Sequence, residues 1–287
     1  MSEIKTERRL GFMSRNDRIL IASAKGGVGK STTALGLALA YAEMGKSVLL
    51  ADCDAASRSL DLLCGSDSSV LYNLGDIILG RVEPEDAVSS PFEAYPDIAF
   101  CAAPYLFQDE EAVLKTGKHL SDLMGDAVRR LMERVPRDIV IIDTSSGGGV
   151  SCAMGLLGEI TTVLITAEQS KTSIRAAEYT ASQMEKIGIE NGYPMNQRLI
   201  VCSFDVASAM KGRRAGVIEM IDRSTLKCAG VVPFDDRLVL RQENGLLPDG
   251  KCISMEAYRN IAHRLSGDNV PLFTGIRRYE KKRSRIL

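Results

Sequence analysis

The sequence predicts an α/β fold: a mostly parallel central sheet flanked by helices. Three observations predict it. Short apolar, β-rich runs alternate with longer segments of helical periodicity, the pattern of strands joined by crossover helices. The stretch SAKGGVGKST, residues 23–32, stands between one such strand and one such helix. The 287 residues, 45% of them apolar, suffice for one large domain that buries roughly 75% of its unfolded surface.

The elements follow in order. A charged arm, MSEIKTERRLGFMSRND, occupies residues 1–17 and lacks the apolar core of a secretory signal. RILIAS (18–23) is the first strand. STTALGLALAYAEM (31–44) follows as a helix whose apolar spacing suits packing on a sheet, and Gly45 supplies its stop. SVLLAD (47–52), DIAFCAA (97–103), DIVIID (138–143), TTVLIT (161–166), RLIVCS (198–203) and LKCAGVV (226–232) read as further strands. Helical periodicity covers 118–134, 171–187, 206–222 and 255–265. No internal repeat and no long Pro/Gly/Ser linker divides the chain, so residues 18–270 are expected to form one domain, with a basic tail over 271–287.

Composition excludes several classes. The 36 basic and 37 acidic residues nearly cancel, so overall charge predicts no general attraction to nucleic acid or membrane. Seven cysteines, an odd number without a C-x-x-C pair, argue against a disulfide framework and the usual zinc spacings. His119 and His263 stand alone on helical patterns, which gives no metal-ligand spacing. No run of about 18 apolar residues suggests a spanning helix. The expected location is the cytosol.

The chemistry starts in the loop. A strict search for G-x-x-x-x-G-K-[ST] passes over it, because Ala24 occupies the first glycine position. Its strand–loop–helix context is nevertheless what a phosphate-binding loop requires. Gly26, Gly27 and Gly29 let backbone N–H groups approach phosphate closely, and the following helix N-terminus favours its charge. Lys30 neutralises the β- and γ-phosphates, and Ser31 is a magnesium ligand. Gly26, Gly27, Val28, Gly29, Lys30, Ser31 and Thr32 are thus the candidate nucleotide-binding set. Asp52, Asp54 and Asp143 follow apolar strands, where an α/β sheet presents residues to a ligand. Asp52 and Asp143 suit water-mediated magnesium contacts; the plain alternative for a strand-end carboxylate is a helix cap. Lys25, immediately before the glycines, has no obvious use in a loop that only holds phosphates.

KGGVGKST resembles the deviant Walker A motif of the MinD/ParA family of dimerising ATPases, which carries a lysine at the start of the motif. The resemblance runs from about residue 18 over nearly the whole chain. It includes ADCDAASRSLD (51–61) at the first switch, IIDTSSGG (141–148) at the second, and GVVPFDDRLVLRQENG (230–245) at the nucleotide-base loop. Within the family, the last of these and TSIRAAE (172–178) look closest to the MinD branch. The resemblance implies a P-loop NTPase fold, Mg2+ and ATP at the site, and a homodimer when ATP is bound. It implies that Lys25 reaches across the dimer to the partner's nucleotide and that Asp54 orients the attacking water. Gly147 is then the sensor of the γ-phosphate.

Departures from the family pattern carry expectations of their own. The second switch usually reads Asp-x-Pro-x-Gly, and Ser145 stands in the proline position, so slow hydrolysis is expected. Cys202 stands where several relatives have a base-facing asparagine, which leaves ATP preference to the loop from Pro233 to Asp235. The tail GIRRYEKKRSRIL has six basic residues among its last eleven. It resembles a weak version of the family's amphipathic membrane helix, with a solvated basic tail as the alternative. The expected function is a MinD-like spatial switch in division-site placement, with an activating regulatory protein and an anionic membrane as partners. Placement of flagella or pili, and a ParA-like partition ATPase bound to nonspecific DNA, are the alternatives, nucleic acid being the less expected partner.

Overall fold

Parallel strands covered on both faces need apolar side chains at nearly every position, and this chain supplies them. The computed structural model describes residues 17–66, 69–104, 111 and 114–272. Seven strands among them form one sheet: β1 (Asp17–Ala22), β2 (Val48–Cys53), β3 (Ile98–Cys101), β4 (Ile139–Thr144), β5 (Thr162–Ala167), β6 (Asn196–Phe204) and β7 (Lys227–Pro233). Their order is β3-β2-β4-β1-β5-β6-β7, and every pairing is parallel. Each predicted strand is present. β1 begins one residue earlier than expected, so Asp17 belongs to the sheet and not to the arm.

Alternate residues of each strand pack into opposite layers. Leu20, Ala22, Leu49 and Ala51 face a layer that includes α4 (Leu120–Arg134) and α6 (Lys171–Asn191). Ile19, Ile21, Val48 and Leu50 face the layer of α1 (Lys30–Glu43) and α10 (Ile253–Leu265). Helix α1 stops where Gly45 turns left-handed at φ 74°. Helices α1 and α10 meet closely because Gly36 has no side chain: a Cβ there would stand 2.4 Å from the buried ring of Tyr258.

The helix expected over 206–222 is two helices, α7 (Val206–Met210) and α8 (Val217–Ser224). Gly212 takes φ 67°, and the exposed KGRR stretch around it lacks the apolar residues that would hold a helix on the sheet. Four short helices escape the periodicity because none exceeds eight residues: α2 (Leu60–Cys64), α3 (Leu74–Ile78), α5 (Gly149–Gly155) and α9 (Asp236–Glu243). The first of these gaps in the reading matters, since α2 borders the site. Among the described residues no helix is long and apolar enough to cross a membrane. Residues 1–16 of the arm and 273–287 of the tail lie outside the described residues.

Candidate active site

A cleft of about 410 Å³ opens at the carboxyl ends of β1, β2, β4, β6 and β7. Its floor is the loop between β1 and α1. Gly27 and Gly29 adopt φ 71° and 88°, conformations a side chain would strain. Gly29 is the N-cap of α1, so the first N–H groups of that helix face the cleft. Gly26, Gly27, Gly29, Lys30, Ser31 and Thr32 line it as the sequence predicts, whereas Val28 is turned into the core with 1% exposure. Lys30 is buried, and its Nζ donates to Ser146 Oγ at 3.1 Å.

Regular pairing of β2 with β4 sets Asp52 directly beside Asp143. Both are completely buried. One oxygen of Asp52 accepts the N–H of Asp54 at 2.8 Å, while its Oδ2 and both oxygens of Asp143 have no hydrogen-bond partner. Burial pushes both carboxyls above the usual range, and the charge of Asp143 adds to the effect at Asp52. Two buried carboxyls with three orphaned oxygens, next to the Ser31 hydroxyl of the loop, fit a divalent cation. Among the described residues no three His, Cys, Asp or Glu side chains converge closely enough to ligate a metal directly. Magnesium keeps several waters and needs one or two carboxylates, which the Asp52–Asp143 pair offers.

Asp54 lines the cleft. Its Oδ1 accepts N–H groups of Ala56 and Ser57 at 3.1 and 3.0 Å, so part of the carboxylate shapes the turn after β2. Gly147 turns left-handed at φ 77° and donates its N–H to Ser23 O at 3.0 Å, which ties the segment after β4 to the start of the loop. Lys25 stands apart. It is absent from the cleft lining, and its Nζ pairs with Glu168 at 3.2 Å on the rim, both side chains about one-third exposed.

The far end of the cleft is built by Cys202, Ser203, Pro233, Phe234, Asp235 and Leu238. Asp235 reaches the site, but its carboxylate is fully engaged: Oδ1 caps α9 through the N–H groups of Arg237 and Leu238, and Oδ2 accepts from Ser254 N and Oγ at 2.9 and 2.8 Å. Several lining residues escape the sequence reading. Ser59, whose hydroxyl donates to Ser31 Oγ at 2.9 Å, lies within the first-switch segment but carries no motif of its own. Gln242 accepts from Thr32 Oγ1 at 3.5 Å; its position one helical turn after Leu238 on α9 is the signal that could have found it. The cysteines at 53, 152 and 202 are buried, as expected of small apolar residues.

A model of the ParA family, described as NUBPL iron-transfer P-loop NTPase, matches residues 14–266. The septum site-determining protein MinD of Bacillus subtilis (strain 168) is 28% identical over 258 residues, 89% of this chain and 91% of that protein. Among solved structures, the MinC:MinD cell division protein complex of Aquifex aeolicus aligns with a TM-score of 0.75 at 23% identity, over 90% of this chain and 98% of that one. MinD of Pyrococcus horikoshii OT3, solved with Mg-ADP, aligns with a TM-score of 0.70 at 20% identity, over 88% of this chain and 96% of that one.

Proposed function

The chain belongs to the ParA family of P-loop NTPases, and from that premise we propose that it is a MinD-like ATPase that binds Mg-ATP, dimerises face to face and resets a spatial switch by hydrolysis. Division-site placement is the role that the septum site-determining MinD relative favours, and we place it at the membrane. One observation carries the reading: the amine of Lys25 is turned to Glu168 on the rim and not into its own cleft. A cation held ready at the rim suits action on the nucleotide of a second subunit, and each cleft is then incomplete until two loaded subunits meet.

The residues divide the work of phosphoryl transfer, which asks for positioning and charge neutralisation more than covalent chemistry. Loop N–H groups and Lys30 hold the phosphates. Ser31, with Asp52 and Asp143 through water, holds Mg2+, which when bound supplies positive charge against the phosphate oxygens. Asp54 orients the attacking water: its Oδ1 is held by two N–H groups, leaving Oδ2 to receive the water proton. Gly147 senses the γ-phosphate through its N–H, exchanging its bond to Ser23 O. Lys25 of one subunit acts as the finger for the other. Pro233 and the backbone around Asp235 receive the base, and a regulatory protein, as in the MinC:MinD relative, joins the dimer.

Light scattering tests the switch: mass should double with a nonhydrolysable ATP analogue and not with ADP. An equal mass in both refutes it. The tail makes the membrane part testable too. A basic segment gains about 1 kcal/mol per basic residue near an anionic surface, so one copy binds marginally and two copies in a dimer bind with avidity. Sedimentation with anionic liposomes should therefore require ATP, fall with salt, and vanish on deleting residues 276–287. Salt-sensitive DNA binding by the ATP dimer without liposome binding would establish the partition alternative instead.

A further inference from the structure

The phosphate lysine already has an oxygen partner. Lys30 Nζ donates to Ser146 Oγ at 3.1 Å, and Ser146 lines the cleft beside Gly26 and Asp54. The approach is tight: a Cβ on Gly26 would stand 3.2 Å from the same hydroxyl oxygen. Ser146 Oγ thus occupies an acceptor position of Lys30, against the loop that cradles phosphate. Any phosphate oxygen that takes over the lysine enters within reach of the displaced hydroxyl.

A hydroxyl suits such an exchange because it both donates and accepts. Facing an ammonium it accepts. Facing a phosphate oxygen, which carries no proton, it donates. Before phosphate enters, the Gly147 N–H to Ser23 O bond sets the residue after Ser146 against the start of the loop. The residue is exposed and lines the cleft. Glycines at 147, 148 and 149 follow, and a Cβ at Gly148 would fall on the Ser145 hydroxyl.

We infer that Ser146 is a phosphate-reading residue of the second switch: its hydroxyl accepts from Lys30 and donates to the terminal phosphate of a nucleoside triphosphate once Lys30 has moved onto that charge. The switch then reads the phosphate through a side chain as well as through the Gly147 N–H. The inference rests on the cleft being a nucleotide site.

The two parts of this role have opposite signs, which makes them separable. Removing the hydroxyl frees Lys30 from this bond and strengthens diphosphate and triphosphate binding alike. Losing a hydrogen bond to the terminal phosphate weakens the triphosphate alone. Calorimetry on the intact protein and on Ser146→Ala and Ser146→Thr, with Mg-ADP and with a nonhydrolysable Mg-ATP analogue, reads the ratio of the two constants. Ser146→Ala should lower triphosphate preference about tenfold, the scale of one hydrogen bond to a charged group. Ser146→Thr should restore it, and the melting temperature without nucleotide should not change. An unaltered ratio in Ser146→Ala, or a threonine variant that fails to restore it, overturns the role. An unmutated protein that binds neither nucleotide overturns the nucleotide site itself, a result no behaviour of Ser146 produces.

Discussion

The two ends of the cleft, proposed above to receive the phosphates and the base, are built on different parts of the sheet. The phosphate end hangs from β1, β2 and β4, adjacent central strands whose pairing runs without interruption and sets Asp52 against Asp143. The base end hangs from β6 and β7 at the edge, where the register shifts between Leu199 and Ile200 and again between Val201 and Phe204. Within the second shift Ser203 takes φ 49°, left-handed without being glycine. Regular pairing converts a residue's place in its strand into its place in the site. Broken pairing removes that conversion, and side chains are assigned by local turns instead.

The largest effect expected tests whether the phosphate end extends beyond one subunit. Lys25→Ala should lower turnover by about 10³-fold, the scale of a lost finger residue, while the monomer still binds ATP. Phosphate release and light scattering with a nonhydrolysable analogue measure the two quantities. The fold should tolerate the change, because the Lys25–Glu168 pair is partly exposed and such pairs contribute little stability. A variant that dimerises and turns over normally would confine the phosphate end to its own subunit.

Next in size is Lys30→Ala. The loop would lose the only cation lining the cleft among the described residues, and Ser146 would lose its donor. ATP affinity should fall by about a hundredfold or more, since charge-assisted bonds to phosphate are the strong ones. Calorimetry with ATP and with ADP checks it, both ligands weakening together.

The sequence made the phosphate end legible because its chemistry follows strand endings in chain order. The loop after RILIAS, the aspartates ending SVLLAD and DIVIID, and the glycines of 147–149 can each be placed by counting from an apolar run. Ser146 went unnoticed for a physical reason: its importance is a contact with Lys30, 116 residues away, and a serine among serines has no pattern. The base end was legible only as a segment. Pro233 and Asp235 do reach the cleft, but Asp235 spends its carboxylate on α9 and Ser254, contacts that depend on a residue 19 positions later. The short helices α2 and α9 that close both ends are too brief for periodicity to announce.

That assignment of Asp235 gives the third expectation. Asp235→Ala should remove the α9 cap and leave the buried Ser254 hydroxyl without its acceptor, a loss of about 2 kcal/mol or roughly 4–8 °C in melting temperature. ATP affinity should change less than stability does. A variant with unaltered melting and much weaker ATP binding would make the Asp235 carboxylate a ligand contact, and the base end as directly chemical as the phosphate end.

The smallest effect concerns what the base end reads. Cys202 is 3% exposed, lies 3.5 Å from Thr33 Oγ1, and has its Cβ 3.4 Å from where a Cβ on Gly29 would stand. Burial pushes its thiol up to about 12, so it stays a neutral, weak hydrogen-bonding group near neutral pH. Such a group distinguishes poorly between the amino group of adenine and the carbonyl of guanine. Asparagine carries both a strong acceptor and strong donors. Cys202→Asn should gain one hydrogen bond of about 1 kcal/mol, roughly fivefold in affinity for ATP over GTP, less the strain of a larger side chain in a tight site. The quantity to measure is the ratio of the two dissociation constants in the variant and in the unmutated protein. A raised ratio places part of the base reading at the end of β6. An unchanged ratio, with melting preserved, leaves the reading to the segment 233–235 and its neighbours in the lining.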